Sequence, residues 1–201
     1  MKTNTINPTI TFRLTEEGDL PLLPALERSA AQSFAHIPAF AWLAESPVMS
    51  VEQHRQYLET GHSLLALADH GPVGFLLSEP LDDALFIVEI SVHQQWQGQG
   101  IGRALLSQTI DNARRDGFPA VTLTTFREVP WNAPFYTRLG FTILNELHLP
   151  EGLAAKRALE TEHGLTTETR CAMRLDFSAA RGAALILSPA YGTKYHSQYI
   201  T

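Results

Sequence analysis

The chain has 201 residues, 44% of them hydrophobic and 18% charged, with a formal net charge of -6 and one cysteine. That length suits a single domain able to bury its core without staples, and the acidic balance argues against nucleic-acid binding, which needs a positive surface to displace counterions. Cys171 has no second cysteine for a disulfide or a thiolate metal cluster, and its alternating surroundings, RCAMRL, mark it as a buried inert thiol. The opening MKTNTINPTITFRL lacks the apolar region of a signal peptide, and no apolar run reaches the length of a membrane span. The cytoplasm is therefore the expected compartment, with no membrane partner.

TITFRL (9–14) alternates and predicts a first strand. TEEGDLPLLPALERSAAQSFAH (15–36) begins with Thr15 and early acids and carries Leu22, Leu23, Leu26, Ala30 and Phe34 at helical spacing. Its two prolines place the start of the regular helix near Pro24. VEQHRQYLETG (51–61) predicts a short helix closed by glycine. Strands follow at SLLALAD (63–69), PVGFLLSE (72–79) and ALFIVEISVH (84–93), the first two joined by the turn-like DHGP. A helix from Ile101 to Asp116 ends at Gly117. Beyond it come a strand AVTLTTF (120–126), a short helix NAPFYTRLG (132–140), a strand FTILNELHL (141–149), a helix GLAAKRALETEHG (152–164) and a strand TRCAMRLDF (169–177). Strands first outnumber helices and then alternate with them, which predicts an α/β (α+β) fold. Its central sheet is mixed and mostly antiparallel, of about six to seven strands, with helices on both faces. Residues 178–201 find no place in that sheet; their small-residue start and aromatic end suit an arm or a homodimer contact.

Between the third strand of that group and the long helix lies SVHQQWQGQGIGRALL (91–106), with glycines at 98, 100 and 102. A dinucleotide fingerprint would need a glycine where Arg103 stands and an acid about 20 residues on, where the chain reads TLTTF. The P-loop pattern is absent. What remains is Q-x-x-G-x-G, Gln97 to Gly102, directly after a strand and opening a helix. Unpaired N–H groups at a helix start, with the dipole behind them, suit a phosphate, and bare glycines let it approach. Arg103 adds a charge at the rim. A flexible glycine turn is the plainer alternative.

At this point the chain resembles the GNAT superfamily of N-acetyltransferases, whose motif runs from the central strand through Q/R-x-x-G-x-G/A into a helix. A second block, NAPFYTRLGF (132–141), is similar to the family's later N-x-x-x-x-Y-x-x-x-G-F element, at the matching distance downstream. The resemblance spans residues 9–177, and FREVPWNAPFYTRLGF (126–141) resembles a bacterial subgroup of mostly undefined acceptor. It implies a GNAT-like fold and acetyl-CoA as co-substrate. It also implies pyrophosphate binding by Gln97, Gly98, Gln99, Gly100, Ile101, Gly102 and Arg103. Main-chain groups of Ile90, Ser91 and Val92 would hold the pantetheine arm, and Asn132 the cofactor's far end.

Acetyl transfer to an amine of pKa ~10 requires a base for the amine proton, donors for a developing oxyanion and an acid for the departing thiolate. Glu89 interrupts the apolar run LFIVEISV, where a carboxylate is costly to bury unless paired or used. Its position resembles that of the base in several family members; a glutamate bonded to a backbone group or an arginine, and a water chain as the base, are the alternatives. Tyr136 stands at the family's tyrosine position, one helical turn after Asn132, and is the expected acid for the sulfur; core packing is its alternative. The resemblance also implies the Val92 N–H as the oxyanion donor. His93, at the strand end, has the plainer reading of a surface residue. No histidine spacing matches a metal site, and G-x-S-x-G is absent.

The family's acceptor region corresponds here to segments holding Glu27, Phe34, Trp42 and Trp131. An acid with aromatics suits a cationic small-molecule amine, although helical aromatics are also core residues and Glu27 also fits a solvent-facing position. Two alternatives remain open: a protein N-terminal or lysine acetyltransferase, and a CoA-binding module without catalysis.

Overall fold

The computed structural model describes residues 9–177; the expected arm at 178–201 lies outside the described residues. The alternating first strand becomes β1 (Thr11–Leu14), paired antiparallel with β2 (Ser63–Ala68). β2 pairs antiparallel with β3 (Gly71–Leu81), with a register shift between Ala66 and Leu67. β4 (Ala84–Val92) runs parallel to β5 (Ala120–Phe126), from Leu85 opposite Val121 to Ile87 opposite Leu123. β7 (Arg170–Asp176) pairs antiparallel with β5 and with the two-residue β6 (Thr142–Ile143). The seven strands lie in the order β1-β2-β3-β4-β5-β7-β6, a mixed and mostly antiparallel sheet as the sequence predicts. The inner strands read as nearly continuous apolar runs because helices cover both faces.

Contacts gather the described residues into two units, 9–78 with 89–109 and 79–88 with 110–177. In the first, α1 (Leu23–Ala31) brings Leu23 and Leu26, and α2 (Val51–Glu59) brings His54, into the buried interior that also holds Leu65, Phe75 and Leu77 of the sheet. Each fully buried side chain of this kind contributes about 1.5–3 kcal/mol. Ser50 starts α2 with a capping box: its hydroxyl accepts from the Gln53 N–H, and Gln53 returns a bond to the Ser50 N–H. α3 (Ile101–Arg115) begins against the other face of the sheet. A Cβ on Gly74 would sit 3.1 Å from the Ser91 carbonyl and 3.3 Å from both Leu105 and Val92, so bare backbone there lets the helix settle onto the strands.

The second unit contains β5, α4 (Ala133–Arg138), β6, α5 (Glu151–Glu162) and β7. A buried ion network ties α5 to β5 and β7. Glu160 pairs with Arg157 and, at 2.8 Å, with Arg170, whose guanidinium also lies 4.6 Å from the centroid of the Phe126 ring. Among the described residues no helix is long and apolar enough to cross a membrane.

Two expectations are corrected. The regular helix begins at Leu23, beside Pro24 as expected, but it ends at Ala31 instead of reaching 36: 3₁₀ turns at Glu17–Leu22 and Gln32–His36 flank the nine residues of α1. Pro24 stands in its first turn, where a missing N–H costs nothing. The strand expected at 141–149 is realised only at Thr142–Ile143. Asn145 then accepts a bond from the Leu147 N–H and starts a 3₁₀ turn, Glu146–His148, that leaves Ile143 and Leu147 exposed. Apolar alternation there did not reflect a buried face, and an Asx turn won over extension.

Candidate active site

The glycine run lies in the first unit and continues directly from β4. Gly98 and Gly100 adopt φ of 74° and 83°, the left-handed region that side chains rarely enter, and a Cβ on either would meet nothing within 4 Å. Gly102 differs. It lies inside α3, and a Cβ there would make ordinary contact with Val92 at 3.7 Å and Ile90 at 3.9 Å. The Gly100 carbonyl accepts the first i→i−4 bond, from Ala104, at 3.0 Å. The N–H groups of Ile101, Gly102 and Arg103 thus precede the helical ladder and carry the positive end of its dipole.

Side chains around the run hold its shape. Gln97 donates from Nε2 to the Val92 carbonyl at 3.0 Å and the Ala30 carbonyl at 3.4 Å, and its Oε1 accepts from Ser33 Oγ at 2.9 Å. Its side chain is thus a brace between the loop, β4 and the end of α1, while its backbone N–H donates to the Gln94 carbonyl at 3.4 Å. Gln99 Nε2 donates to the Gln95 carbonyl. His93, a surface histidine in the plainer reading, accepts from the Gln95 N–H at Nδ1 and caps the turn Gln94–Trp96. Beyond Ile87, the last β4 residue in register with β5, β4 continues through Ile90, Ser91 and Val92.

Alternation along β4 puts Glu89 and Ser91 on the face away from Ile90 and Val92, which meet α3 at Gly102. Glu89 is 2% exposed and accepts a 2.6 Å bond from Ser91 Oγ. On the same side of the sheet Glu27, from α1, is 1% exposed, so the solvent-facing alternative for this residue is overturned. Its two carboxylate oxygens accept from the Met49 N–H at 3.3 and 3.2 Å, and Oε2 lies 3.6 Å from His54 Nε2. Burial, opposed by the Met49 bond and the Arg28 charge, pushes Glu27 up to about 7. His54, from α2, is fully buried, packs edge-on against Phe75, and among the described residues makes no hydrogen bond through either ring nitrogen. Burial brings its pKa down to about 4, against the pull of Glu89, so the ring is neutral near pH 7. Sequence reasoning missed His54. The available signal was its spacing from Val51 and Leu58, which puts it on the inward stripe of α2.

In the second unit, Asn132 is buried and donates from Nδ2 to Thr125 Oγ1 at 2.7 Å. Its carbonyl accepts from the Phe135 and Tyr136 N–H groups and opens α4, while its buried Oδ1 has no hydrogen-bond partner among the described residues. Tyr136 is buried between Phe135 and Phe141, ring centroids 5.2 and 5.6 Å away, so packing and any chemical role coexist in it. Of the acceptor candidates, Phe34 is a core residue, whereas Trp42 and Trp131 are 47% and 44% exposed. Among the described residues no group of three or more His, Cys, Asp or Glu is arranged to hold a metal ion.

Residues 28–141 match the family model of the acetyltransferase (GNAT) family, and the chain belongs to that family, a family of acyltransferases. Its fold is similar to that of a PaiA N-acetyltransferase from Thermoplasma acidophilum in complex with coenzyme A (16% identity, 84% of this chain and 99% of that chain covered, TM-score 0.62). It is also similar to the ribosomal-protein-S18-alanine N-acetyltransferase of Escherichia coli (21% identity, 89% and 100% covered, TM-score 0.61). A third likeness is to N-acetylglutamate synthase from Neisseria gonorrhoeae, complexed with coenzyme A and N-acetyl-glutamate (19% identity, 86% and 36% covered, TM-score 0.64).

Proposed function

We propose that residues 9–177 form an acetyltransferase domain that moves the acetyl group of acetyl-CoA onto a primary amine of a small molecule, by direct attack in a ternary complex. The observation that carries this reading is the glycine run: two left-handed glycines present bare backbone just ahead of three N–H groups outside the ladder of α3. These residues fit a diphosphate, and the structural likenesses that hold coenzyme A support the assignment. Gln97, Gly98, Gln99, Gly100, Ile101, Gly102 and Arg103 would hold the pyrophosphate. The main chain of Ile90, Ser91 and Val92 would line the pantetheine arm as an added strand does, and Asn132 would help hold the cofactor's far end.

Acetyl-CoA supplies an activated carbonyl and a good leaving group. The residues supply the proton traffic. Glu89 would take a proton from the amine, the Val92 N–H would donate to the oxygen as charge develops there, and the Tyr136 hydroxyl would deliver a proton to the sulfur. The structure gives one reason to keep the protein or peptide acceptor as a second reading. With Phe34 in the core and both tryptophans exposed, the case for a closed aromatic pocket loses its main support, and one structural likeness acts on a ribosomal-protein alanine.

Thiol release measured over a panel of amines, α-amino peptides and lysine peptides tests these readings together. Turnover of small amines is the expected result, and turnover confined to peptides would transfer the assignment to the second reading. Calorimetric binding of acetyl-CoA with no turnover of any acceptor would leave a binding module. No binding at millimolar acetyl-CoA would overturn all three.

A further inference from the structure

The first unit buries three titratable side chains together: Glu27 from α1, His54 from α2 and Glu89 from β4. A hydrophobic core rarely tolerates such a group without compensation. The two bare ring nitrogens of His54 are each a cost of about 1–3 kcal/mol that an apolar residue would have avoided. Glu27 Oε2 faces Nε2 of the ring at 3.6 Å, slightly beyond a direct bond, a common spacing in unliganded sites that tighten when occupied. Glu89 acts on the ring electrostatically. Among the described residues the Arg28 charge also acts on Glu27, and the Arg28 guanidinium donates to the Ala44 carbonyl at 3.2 Å and to that of Ser46. Ser91 Oγ donates to the carboxylate of Glu89 and so orients it.

We propose that Glu27 and His54 are positioning residues behind Glu89, forming a buried relay that carries the amine's proton away from the reacting nitrogen. The inference rests on the acetyltransferase reading above. An ammonium acceptor loses two protons when it becomes an amide. One ends on the thiol sulfur. The other breaks from nitrogen, leaving its electron pair there, and passes to Glu89. His54 then accepts it on one ring nitrogen while releasing the proton of the other to the Glu27 carboxylate. The ring returns to its neutral state with its tautomer exchanged, and Glu27 ends neutral. Its proton affinity lies near ambient pH, so it can both receive and later shed that proton.

The test is kcat against pH, at saturating acetyl-CoA and amine, for the wild type, Glu27→Gln, Glu27→Asp and His54→Asn. In the wild type kcat rises through a step near pH 7 as Glu27 ionises. Glu27→Gln and His54→Asn remove that step and lower kcat roughly 10-fold, less than the ~10²-fold or more expected for a group touching substrate, with KM for acetyl-CoA unchanged. Glu27→Asp keeps the step. A Glu27→Gln enzyme with the wild-type pH profile would overturn the relay while leaving the acetyltransferase reading intact; a wild type that releases no thiol from any acceptor would end that reading and the relay with it. Should a variant not fold, infrared difference spectra of the wild type across neutral pH decide instead. A protonated carboxylic C=O band that disappears as pH rises is expected, and its absence would overturn the relay.

Discussion

The three glycines of the loop owe their identity to different causes, and substitution separates them. Gly100, at φ 83°, would strain as alanine by about 1–2 kcal/mol whether or not a ligand is present. Gly102 has no such constraint and sits in a helix, where alanine is favoured by up to ~1 kcal/mol, with room for its methyl. Gly100→Ala is therefore expected to lower both the melting temperature and acetyl-CoA affinity. Gly102→Ala should preserve or raise the melting temperature, and because its methyl would rest against Val92 and Ile90, any loss of acetyl-CoA affinity should be smaller than that of Gly100→Ala. Thermal melts and calorimetry on the two variants check this. Tyr136→Phe keeps the ring that packs on Phe135 and Phe141. It should reduce kcat by about 10²–10⁴-fold with acetyl-CoA affinity unchanged, and an unaltered kcat would remove the acid role.

At the scale of elements, helix α5 shows how a terminus is secured from far along the chain. Its N-cap, Pro150, offers no side-chain bond. Asp82, in the turn between β3 and β4, accepts instead from the Gly152 N–H at 2.8 Å and the Leu153 N–H at 3.0 Å. Asp82 does so from φ 53°, a conformation aspartate tolerates better than most residues. Replacing Asp82 with alanine should cost about 0.5–2 kcal/mol, read as a lower denaturant midpoint with an unchanged slope. Gly152 serves the same junction: a Cβ there would come within 2.7 Å of Leu81. Gln97 works similarly around the glycine run, where its side chain fixes the loop through carbonyls on β4 and α1.

For the molecule as a whole, Glu27 and His54 bear on stability in opposite senses. Glu27, raised from its ordinary 4.5 to about 7, binds more protons folded than unfolded in that window. Its contribution is therefore present at low pH and lost as pH rises. His54, lowered from 6.5 to about 4, binds more protons unfolded, so its contribution grows as pH rises through that range. Between about 4.5 and 6.5 the two slopes oppose each other, and the wild type should show a shallow pH dependence. Glu27→Gln keeps an acceptor for the Met49 N–H and removes one slope. Its melting temperature should then climb as pH rises between about 4 and 6.5 more steeply than that of the wild type. Parallel curves for the two proteins would contradict this balance.

The sequence by itself determined the features built from near neighbours: the glycine run opening α3, the Asn132–Tyr136 helix and the periods of most strands. Helix starts, left-handed glycines and alternation are short-range effects, so the residues that cause them lie within a few positions of one another. It also singled out Glu89, because one carboxylate in an apolar strand is conspicuous. Only the tertiary structure decided what surrounds that carboxylate. Glu27 and His54 sit on ordinary amphipathic helices; spacing places His54 on the inward stripe of α2, but nothing local names the partner an inward polar residue will meet. It likewise decided that Trp42 and Trp131 are exposed and that Asp82 caps a helix seventy residues away. Such pairings depend on how the chain returns upon itself, which the spacing of residues along it does not encode.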